Sequence, residues 1–320
     1  MSILRAEPVE ILWNTDLPIY ASRGFLQTVG DDYGWIGGYD DCGVRCILPY
    51  TVIHKFGIRM VRFRLETTPL RGDLSEGEEQ LFLSGVNDYF RSVGTDLIIP
   101  SGNTALFRTC PSGALTCPYG TFVNDLTQSE ELLMRGIRKT YRQMIRRAMQ
   151  TVEIRHGLEY LDVAHHLIAD TLKRSGLHFK TLKEFEATIL SLGSNVEVFV
   201  AEHAGVIHGC MVSPFSAHSA YNWYAGSVAE PVFGAMQLLH WEAMRYFRGI
   251  GVRRFNFQGV RVNPDKGSKQ EGIMTYKKGF GGEFVKGCMW KYAFHQIKAS
   301  VYSIAARFLA GGDMRYTRAN

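Results

Sequence analysis

The order of patterns in the second half of the sequence constrains the fold most. Two β-rich segments lie on either side of His203-Ala204-Gly205, so residues 196–212 are predicted to form a hairpin. Helical patterns precede the hairpin at 129–150, 158–175 and 182–192. The elements predicted after it are a strand at 221–226, a helix at 234–248, a strand at 252–257, a helix at 270–278 and a strand at 283–292. This alternation predicts a mixed sheet flanked by helices.

The N-terminal part of the chain also combines strands with helices. Apolar, β-rich runs span 44–52 and 60–65, and helical spacing follows over 78–93. Residues 109–120 have turn chemistry at both ends and give the clearest boundary signal.

Composition excludes several classes of protein. The chain has 320 residues, of which 46% are hydrophobic and 21% are charged, so it can bury a core and is not a disordered chain. The N-terminus lacks the pattern of a secretory signal, and no uncharged apolar window approaches the roughly 20 residues that span a bilayer. We therefore expect a cytoplasmic protein, with the inner face of the plasma membrane as an alternative location.

The net charge and the cysteine pattern limit the classes of ligand that the chain is expected to bind. The formal net charge of +5 permits contact with phosphates, nucleic acid or an anionic membrane without requiring any of them. The six cysteines include no Cys-x-x-Cys pair and no histidine partner at metal spacing, so we expect reduced structural thiols and no metal site.

The predicted helix at 129–150 carries a basic stripe. Ser129 can cap the helix, and Arg135, Arg138, Arg142 and Arg146 follow one another at spacings of three and four residues. Phosphates of a transfer RNA, of a nucleotide-linked sugar or of an anionic membrane could bind there. A solvated helix between two domains would explain the stripe equally well.

Four sequence blocks resemble the FemAB family and the related BioF2-like acetyltransferase domain of the GNAT superfamily. They are Tyr224-Ala-Gly-Ser-Val-Ala-Glu, Leu238-Leu-His-Trp-Glu-Ala-Met, Gly251-Val-Arg-Arg-Phe-Asn-Phe-Gln-Gly and Tyr276-Lys-Lys-Gly-Phe-Gly-Gly-Glu. Upstream, Thr121-Phe-Val-Asn-Asp-Leu and the arginine-rich segment from Arg138 extend the match, so the resemblance covers residues 121–292.

The resemblance implies a mixed α and β fold with two tandem GNAT-like acyl-CoA N-acyltransferase domains. We expect an N-terminal domain at 1–128, a C-terminal domain at 129–292 and a helical tail at 293–320 that packs on the first domain. A weak interfacial membrane anchor is the alternative for the tail, because Val301, Ile304 and Phe308 lie on one side of it.

The resemblance also implies the reaction. A FemAB-like enzyme moves an acyl or aminoacyl group from an activated donor to an amine of a peptidoglycan or surface-polysaccharide precursor. The donor would be a co-substrate, either aminoacyl-tRNA or acyl-CoA, with no bound cofactor. Expected partners are a small-molecule or lipid-linked amine acceptor, with tRNA and a peripheral membrane contact as further candidates, and no DNA. Two alternatives remain open, an acetyl-CoA-dependent N-acetyltransferase acting on an amino sugar or other small amine, and a non-catalytic binder of RNA or membrane.

Lys277 is the main candidate for catalysis. If Tyr276-Lys277 matches the family's aromatic-lysine pair, an ammonium in the cleft could meet a donor phosphate or the oxyanion formed at the attacked carbonyl. Lys278 is a candidate for donor contact, and Gly279, Gly281 and Gly282 would let the backbone approach a ligand. Two solvated lysines before a glycine-capped helix end would be the structural alternative.

A general base is optional, since aminolysis depends largely on positioning. Tyr224, Asp125 and Glu242 are candidates for this role, and Tyr224 is retained as a catalytic candidate. The remaining candidates for donor or substrate binding are Gly234 at a helix start that could bind an anion, Asn256, Gln258, Arg261, Arg142 and Arg146. Asn256 stands where relatives commonly carry aspartate, which removes one possible base.

Overall fold

The computed structural model describes residues 4–310 and 316–318, with the side chains of 305–310 outside the description. The strands are β1 (Arg5–Val9), β2 (Asp32–Asp40), β3 (Gly43–Lys55), β4 (Ile58–Phe63), β5 (Thr68–Pro69), β6 (Leu97–Ile99), β7 (Leu115–Asp125), β8 (Glu153–His156), β9 (Val196–His203), β10 (Val206–Pro214), β11 (Ala220–Tyr221), β12 (Tyr224–Ser227), β13 (Arg254–Asn256), β14 (Val260–Arg261), β15 (Glu283–Ala293) and β16 (Thr317–Arg318). The α-helices are α1 (Arg23–Leu26), α2 (Glu76–Ser92), α3 (Glu130–Gly136), α4 (Lys139–Ala148), α5 (Leu161–Lys173), α6 (Leu182–Leu190), α7 (Ala235–Gly249), α8 (Lys269–Lys278) and α9 (Gln296–Ala310).

The long mixed sheet runs through both halves of the chain. Its strand order is β1-β2-β3-β4-β6-β15-β7-β13-β11, with β5 on β3 and both β14 and β16 on β7. Strand β15 joins the halves, because Glu283–Lys291 pairs with β7 whereas Tyr292–Ala293 pairs with β6. A second sheet has the order β12-β10-β9-β8. The proposed domain limits at 128 and 292 stay a prediction.

Four apolar clusters among the described residues hold helices against these sheets. Helices α4 and α7 pack on β7 and β13 through residues such as Ile145, Trp241, Phe122 and Phe255. Helices α5 and α6 pack on the hairpin β9–β10, and α2 packs on the N-terminal strands. Helix α9 contacts the N-terminal strands, since Ala299 and Tyr302 pack against Ile58, Met60, Leu97 and Ile99. Within the described residues, no helix is long and apolar enough to span a bilayer.

The predicted hairpin is confirmed, and its turn has the expected chemistry. Ala204 and Gly205 have φ angles of 49° and 79°, in the left-handed region. Positive φ at both central residues matches the right-handed twist of the two strands that the turn joins.

The predicted strand at 221–226 is wrong, because the chain changes sheets within it. The Asn222 amide donates to Asn256 O at 3.0 Å, next to β13, but the Trp223 amide donates to Val212 O at 3.1 Å, on β10. The chain therefore leaves β13 after Asn222 and continues in the second sheet as β12, so the two sheets diverge at this point.

The predicted single helix at 129–150 is also wrong. Ile137 and Arg138 have ψ angles of 137° and 136°, which separate α3 from α4. The Arg138 amide donates to Gly279 O at 2.9 Å, and the Arg142 guanidinium donates to the carbonyls of Arg135 and Ile137 at 2.9 and 2.6 Å. These contacts satisfy backbone groups that the break leaves unpaired, so the basic side chains do not form one continuous helical stripe.

Candidate active site

Lys277 lies in the last turn of α8 and reaches the backbone between β13 and β14. Its Nζ donates to Gln258 O at 3.0 Å and to Gly259 O at 3.1 Å. Gln258 has a φ of 57°, which interrupts the strand, and the ammonium satisfies the carbonyls of this turn. Burial lowers the pKa of Lys277 to about 8. An ammonium has three donors, so one remains for a ligand after these two bonds.

Tyr276 ties α8 to α7 through His240. The Tyr276 hydroxyl lies 3.2 Å from both Met236 O and His240 Nδ1. His240 Nδ1 donates to Met236 O at 2.8 Å, so Nε2 accepts from Asn222 Nδ2 at 3.0 Å. Burial lowers the pKa of His240 to about 4, so the ring is neutral at neutral pH. This network reaches from α8 to the point where the sheets diverge.

The glycines after Lys278 allow close approach of backbone to backbone. Gly281 has a φ of 75°, and a Cβ there would lie 2.2 Å from Gly136 O. A Cβ on Gly282 would lie 2.7 Å from Asn124 Oδ1. The approach of this turn to a ligand stays a prediction, and Gly281 and Gly282 both line a large cleft.

This cleft, named here the Glu66 cleft, has a volume of about 1000 Å³. One wall contains Glu66 and the segment Asn103–Leu106 from the N-terminal half of the chain. The other contains β7 residues together with His218, Tyr221, Arg254, Asn256 and Gly259. The volume suits a substrate-sized molecule, and Gly259 connects the cleft with the turn that binds Lys277.

Glu66 has an unusual environment for a carboxyl group. Its Oε2 accepts from the Leu106 amide at 3.2 Å. Burial raises the pKa of Glu66 to about 7, and the Glu79 carboxylate raises it further, whereas bonds from the Glu66 and Leu106 amides and the charge of Arg254 lower it. The carboxyl can therefore exchange a proton near neutral pH.

Three other polar residues of the cleft, His218, Asp125 and Asn256, are held by neighbouring groups. Burial, together with Arg254 and Arg253, lowers the pKa of His218 to about 4. Hydrogen bonds from Thr127 hold the pKa of Asp125 below its usual range. Asn256 Oδ1 accepts from Thr121 Oγ1 and from the Gln258 amide, both at 2.7 Å, so it shapes the turn at 256–259.

Tyr224 lies on β12 of the second sheet, whereas Lys277 contacts a turn that follows β13 of the first sheet. Its ring packs against Phe179 and Trp223, with Lys180 Nζ 5.9 Å from the ring centroid. Burial raises the pKa of Tyr224 to about 12, so at neutral pH the phenol is a hydrogen-bond donor or acceptor but a poor general base.

The other predicted residues are dispersed. Gly234 is buried under α4, and a Cβ there would lie 2.5 Å from Met144 O, so this side of the helix start is closed by protein. The Arg142 guanidinium donates to the end of α3, and its role in ligand binding stays a prediction. Arg146 and Lys278 are exposed. Arg261 lies opposite Tyr119 in the sheet and lowers the pKa of Cys117 against the larger effect of burial.

Lys277, Tyr276 and Gln258 are thus brought together, with Asn256 in the same turn. Sequence reasoning missed Glu66, Arg254 and His240. The available signals were an acid directly after an apolar strand for Glu66, and a histidine on the apolar side of a helix for His240.

Comparison with known proteins identifies the C-terminal half. Residues 135–278 match a family model described as an acetyltransferase (GNAT) domain. A search of curated proteins gives no match.

Solved structures share the fold over most of the chain. FemX aligns at 12% identity with a TM-score of 0.69, covering 92% of this chain and 99% of FemX. The C-terminal domain (DUF2156) of a candidate lysylphosphatidylglycerol synthetase from Agrobacterium fabrum aligns at 13% identity and a TM-score of 0.54, covering 89% and 91% of the two chains. L-PGS from Bacillus licheniformis aligns at 12% identity and a TM-score of 0.51, with the same coverage.

Identities this low establish the fold alone, and the fold agrees with the mixed α and β class predicted from the sequence. The matched domain agrees with the predicted acyltransferase class. Residues 135–278 therefore carry the GNAT domain of an acyltransferase, and the chain as a whole shares the fold of FemX.

Proposed function

We propose that this enzyme moves an acyl or aminoacyl group from an activated donor to a primary amine of a cell-envelope precursor. The observation that carries the proposal is the Lys277 ammonium, bound to the carbonyls of Gln258 and Gly259 in a turn that borders the Glu66 cleft. Likeness to FemX and to a lysylphosphatidylglycerol synthetase supports transfer of an aminoacyl group rather than a simple acetyl group.

In the proposed step, the amine nitrogen attacks the donor carbonyl and a C–N bond forms. The negative charge that develops on the carbonyl oxygen is stabilised by the remaining N–H of Lys277. The C–O bond of an ester donor, or the C–S bond of a thioester donor, then breaks. A lysine whose pKa is lowered to about 8 can give a proton to the leaving oxygen or sulfur, and its neutral amine can then take the proton that the attacking nitrogen loses.

Aminoacyl-tRNA is the donor that we favour. Exposed cations on α3 and α4 support contact with phosphates, namely Arg135, Arg138, Lys139, Arg146 and Arg147. Acyl-CoA is the alternative donor, and the reaction would take place in the cytoplasm or at the inner face of the plasma membrane.

Mass spectrometry of acceptor amines mixed with each donor class tests the proposal. Wild-type protein should add the acyl mass to an amine with one donor class, Lys277→Ala should not, and Lys278→Ala should match wild type. If no donor gives product, or if Lys277→Ala turns over normally, the proposed chemistry is wrong. Binding of RNA without any product would favour the non-catalytic alternative.

A further inference from the structure

The Glu66 cleft contains a proton-exchanging group that the step at Lys277 does not use. Glu66 belongs to the segment after β4, and the amides of Leu106 and of Glu66 itself hold its carboxyl at the cleft wall. Two backbone donors fix the direction of the carboxyl group, as expected for a preorganised site rather than a mobile surface acid.

The groups that face Glu66 come from three elements. Glu79 on α2 repels its negative charge and Arg254 on β13 attracts it. Burial raises the pKa of Tyr221 on β11, and the charge of Glu66 raises it further. Glu79 forms an ion pair with Arg108 at 2.9 Å, so its own charge is already neutralised by a partner. Glu66 therefore remains as the carboxyl group of this wall that a ligand cation can neutralise.

The cleft and the Lys277 site meet at one turn. Asn256 and Gly259 line the cleft, while the carbonyls of Gln258 and Gly259 bind Lys277. A nitrogen bound in the cleft would thus approach the same turn that binds the ammonium.

We propose that the Glu66 cleft binds the primary amine of the acceptor as an ammonium ion, and that the Glu66 carboxylate accepts the proton which the nitrogen loses before it attacks. This proposal rests on the proposed function and deepens it. It assigns the place where the acceptor amine binds, the protonated form in which it arrives, and one further catalytic residue.

The atoms balance without a further reactant. One N–H bond of the ammonium breaks and its proton moves to a Glu66 oxygen, leaving the electron pair on nitrogen. That pair forms the C–N bond, and the leaving group of the donor takes a proton from Lys277 as its bond to the carbonyl carbon breaks. The nitrogen then loses a second proton to the neutral Lys277 amine, which completes the amide and restores the ammonium. Glu66 returns its proton to water in the cleft.

Binding of a simple amine tests the cleft separately from the reaction. The probe is butylammonium, compared with butanol, titrated without any donor and followed by protein NMR shifts. Wild-type protein should prefer butylammonium over butanol by at least tenfold at pH about 8, because an ion pair with hydrogen bonding adds to the apolar contact. The preference should shrink at pH about 6, where Glu66 is protonated.

Glu66→Gln is the informative variant, because its amide oxygen can still accept from Leu106. It should lose the preference at both pH values. Glu283→Gln is the matched control, since Glu283 also lines the cleft but is exposed at the start of β15, and it should keep the preference. Circular dichroism confirms that both variants are folded.

The outcomes separate this proposal from the proposed function. Equal binding of butylammonium by wild type and Glu66→Gln overturns the role of Glu66, even if wild type transfers acyl groups. Loss of binding in Glu66→Gln supports the cleft assignment, even if no donor yields product. If Glu283→Gln loses the preference as fully as Glu66→Gln, the cleft attracts cations only by its overall charge and the assignment of Glu66 is overturned.

Discussion

The ammonium of Lys277 and the carbonyl of Gln258 are 3.0 Å apart, across the break between β13 and β14. This contact gives one side chain two functions. It satisfies the backbone of a strained turn, in which Gln258 has positive φ, and it keeps a cation with a lowered pKa beside a large cleft. Structural and catalytic effects of Lys277 must therefore be measured separately.

Substitution of Lys277 should reduce turnover far more than substitution of Lys278. Lys277→Ala removes the charge near the developing oxyanion and should lower kcat by about 10²–10³-fold. It should also lower the free energy of unfolding by about 1–3 kcal/mol, since two carbonyls lose their donor. Lys278 is exposed, so Lys278→Ala should leave kcat within about twofold of wild type and the free energy of unfolding within about 0.5 kcal/mol. Turnover is followed by mass spectrometry and stability by urea titration, and equal losses in both variants would refute the assignment.

The pH profile of kcat/KM should have two limbs from two residues. Glu66 acts as a carboxylate, so the rate should rise as pH passes about 7. Lys277 acts as an ammonium, so the rate should fall as pH passes about 8. Glu66→Gln should remove the acid limb and keep the alkaline one. The acceptor amine also titrates, and it adds the same limb to the pH profile of every variant. The role of Glu66 is therefore judged from the difference between the profiles of wild type and Glu66→Gln. An unchanged acid limb in Glu66→Gln would count against its role as a base.

Local patterns predicted those parts of the fold that short segments determine. The hairpin at 196–212 follows from the turn residues His203-Ala204-Gly205 between β-rich arms, and the helical spacing over 78–93 predicted most of α2. These signals lie within a few residues of the structure they specify. The order of elements then limited the topology to a mixed sheet, and the four sequence blocks limited the family.

The features that were missed depend on distant partners. The change of sheet after Asn222 is set by pairing with Asn256 and Val212, and the break before Arg138 is stabilised by the Gly279 carbonyl. The apolar spacing continues through that break, so periodicity gave no warning. The properties of Glu66 likewise depend on Leu106 and Arg254, which a sequence places far away.

Glu66→Gln should stabilise the protein in a pH-dependent manner. The folded-state pKa of Glu66 is raised from 4.5 to about 7, so the folded state favours the protonated form. The stability that this provides is present below about 4.5 and is lost as pH rises through about 7, where the ionised carboxyl remains buried. The variant should therefore match wild type at pH about 4 and gain up to about 3 kcal/mol at pH about 8. Thermal unfolding at both pH values measures this difference, and a gain at the lower pH alone would contradict it.

Substitution of Arg142 should lower stability, whereas substitution of Arg146 should weaken RNA binding. Arg142 donates to two carbonyls at the end of α3, so Arg142→Gln should lower the free energy of unfolding by about 1–2 kcal/mol. Arg146 is exposed on the same helix, so Arg146→Gln should keep the stability but weaken tRNA binding several-fold, with a shallower salt dependence. Filter binding at several salt concentrations and urea titration distinguish the two. Unchanged tRNA affinity in Arg146→Gln would remove the support that these cations give to an RNA donor.

The turn after α8 should tolerate no side chain at Gly281. A Cβ there would lie 2.2 Å from Gly136 O on a residue whose φ is 75°, so Gly281→Ala combines a backbone clash with an unfavourable conformation. We expect a loss of about 2–4 kcal/mol in the free energy of unfolding, together with lower turnover, because this turn follows Lys277 and lines the cleft. Gly272 is the matched control within α8, where a Cβ meets nothing within 4 Å. Gly272→Ala should raise stability by about 0.5–1 kcal/mol through helix propensity, with activity unchanged. If both substitutions changed the free energy of unfolding in the same direction in urea titration, the close approach of Gly281 to Gly136 would not be a constraint on the fold.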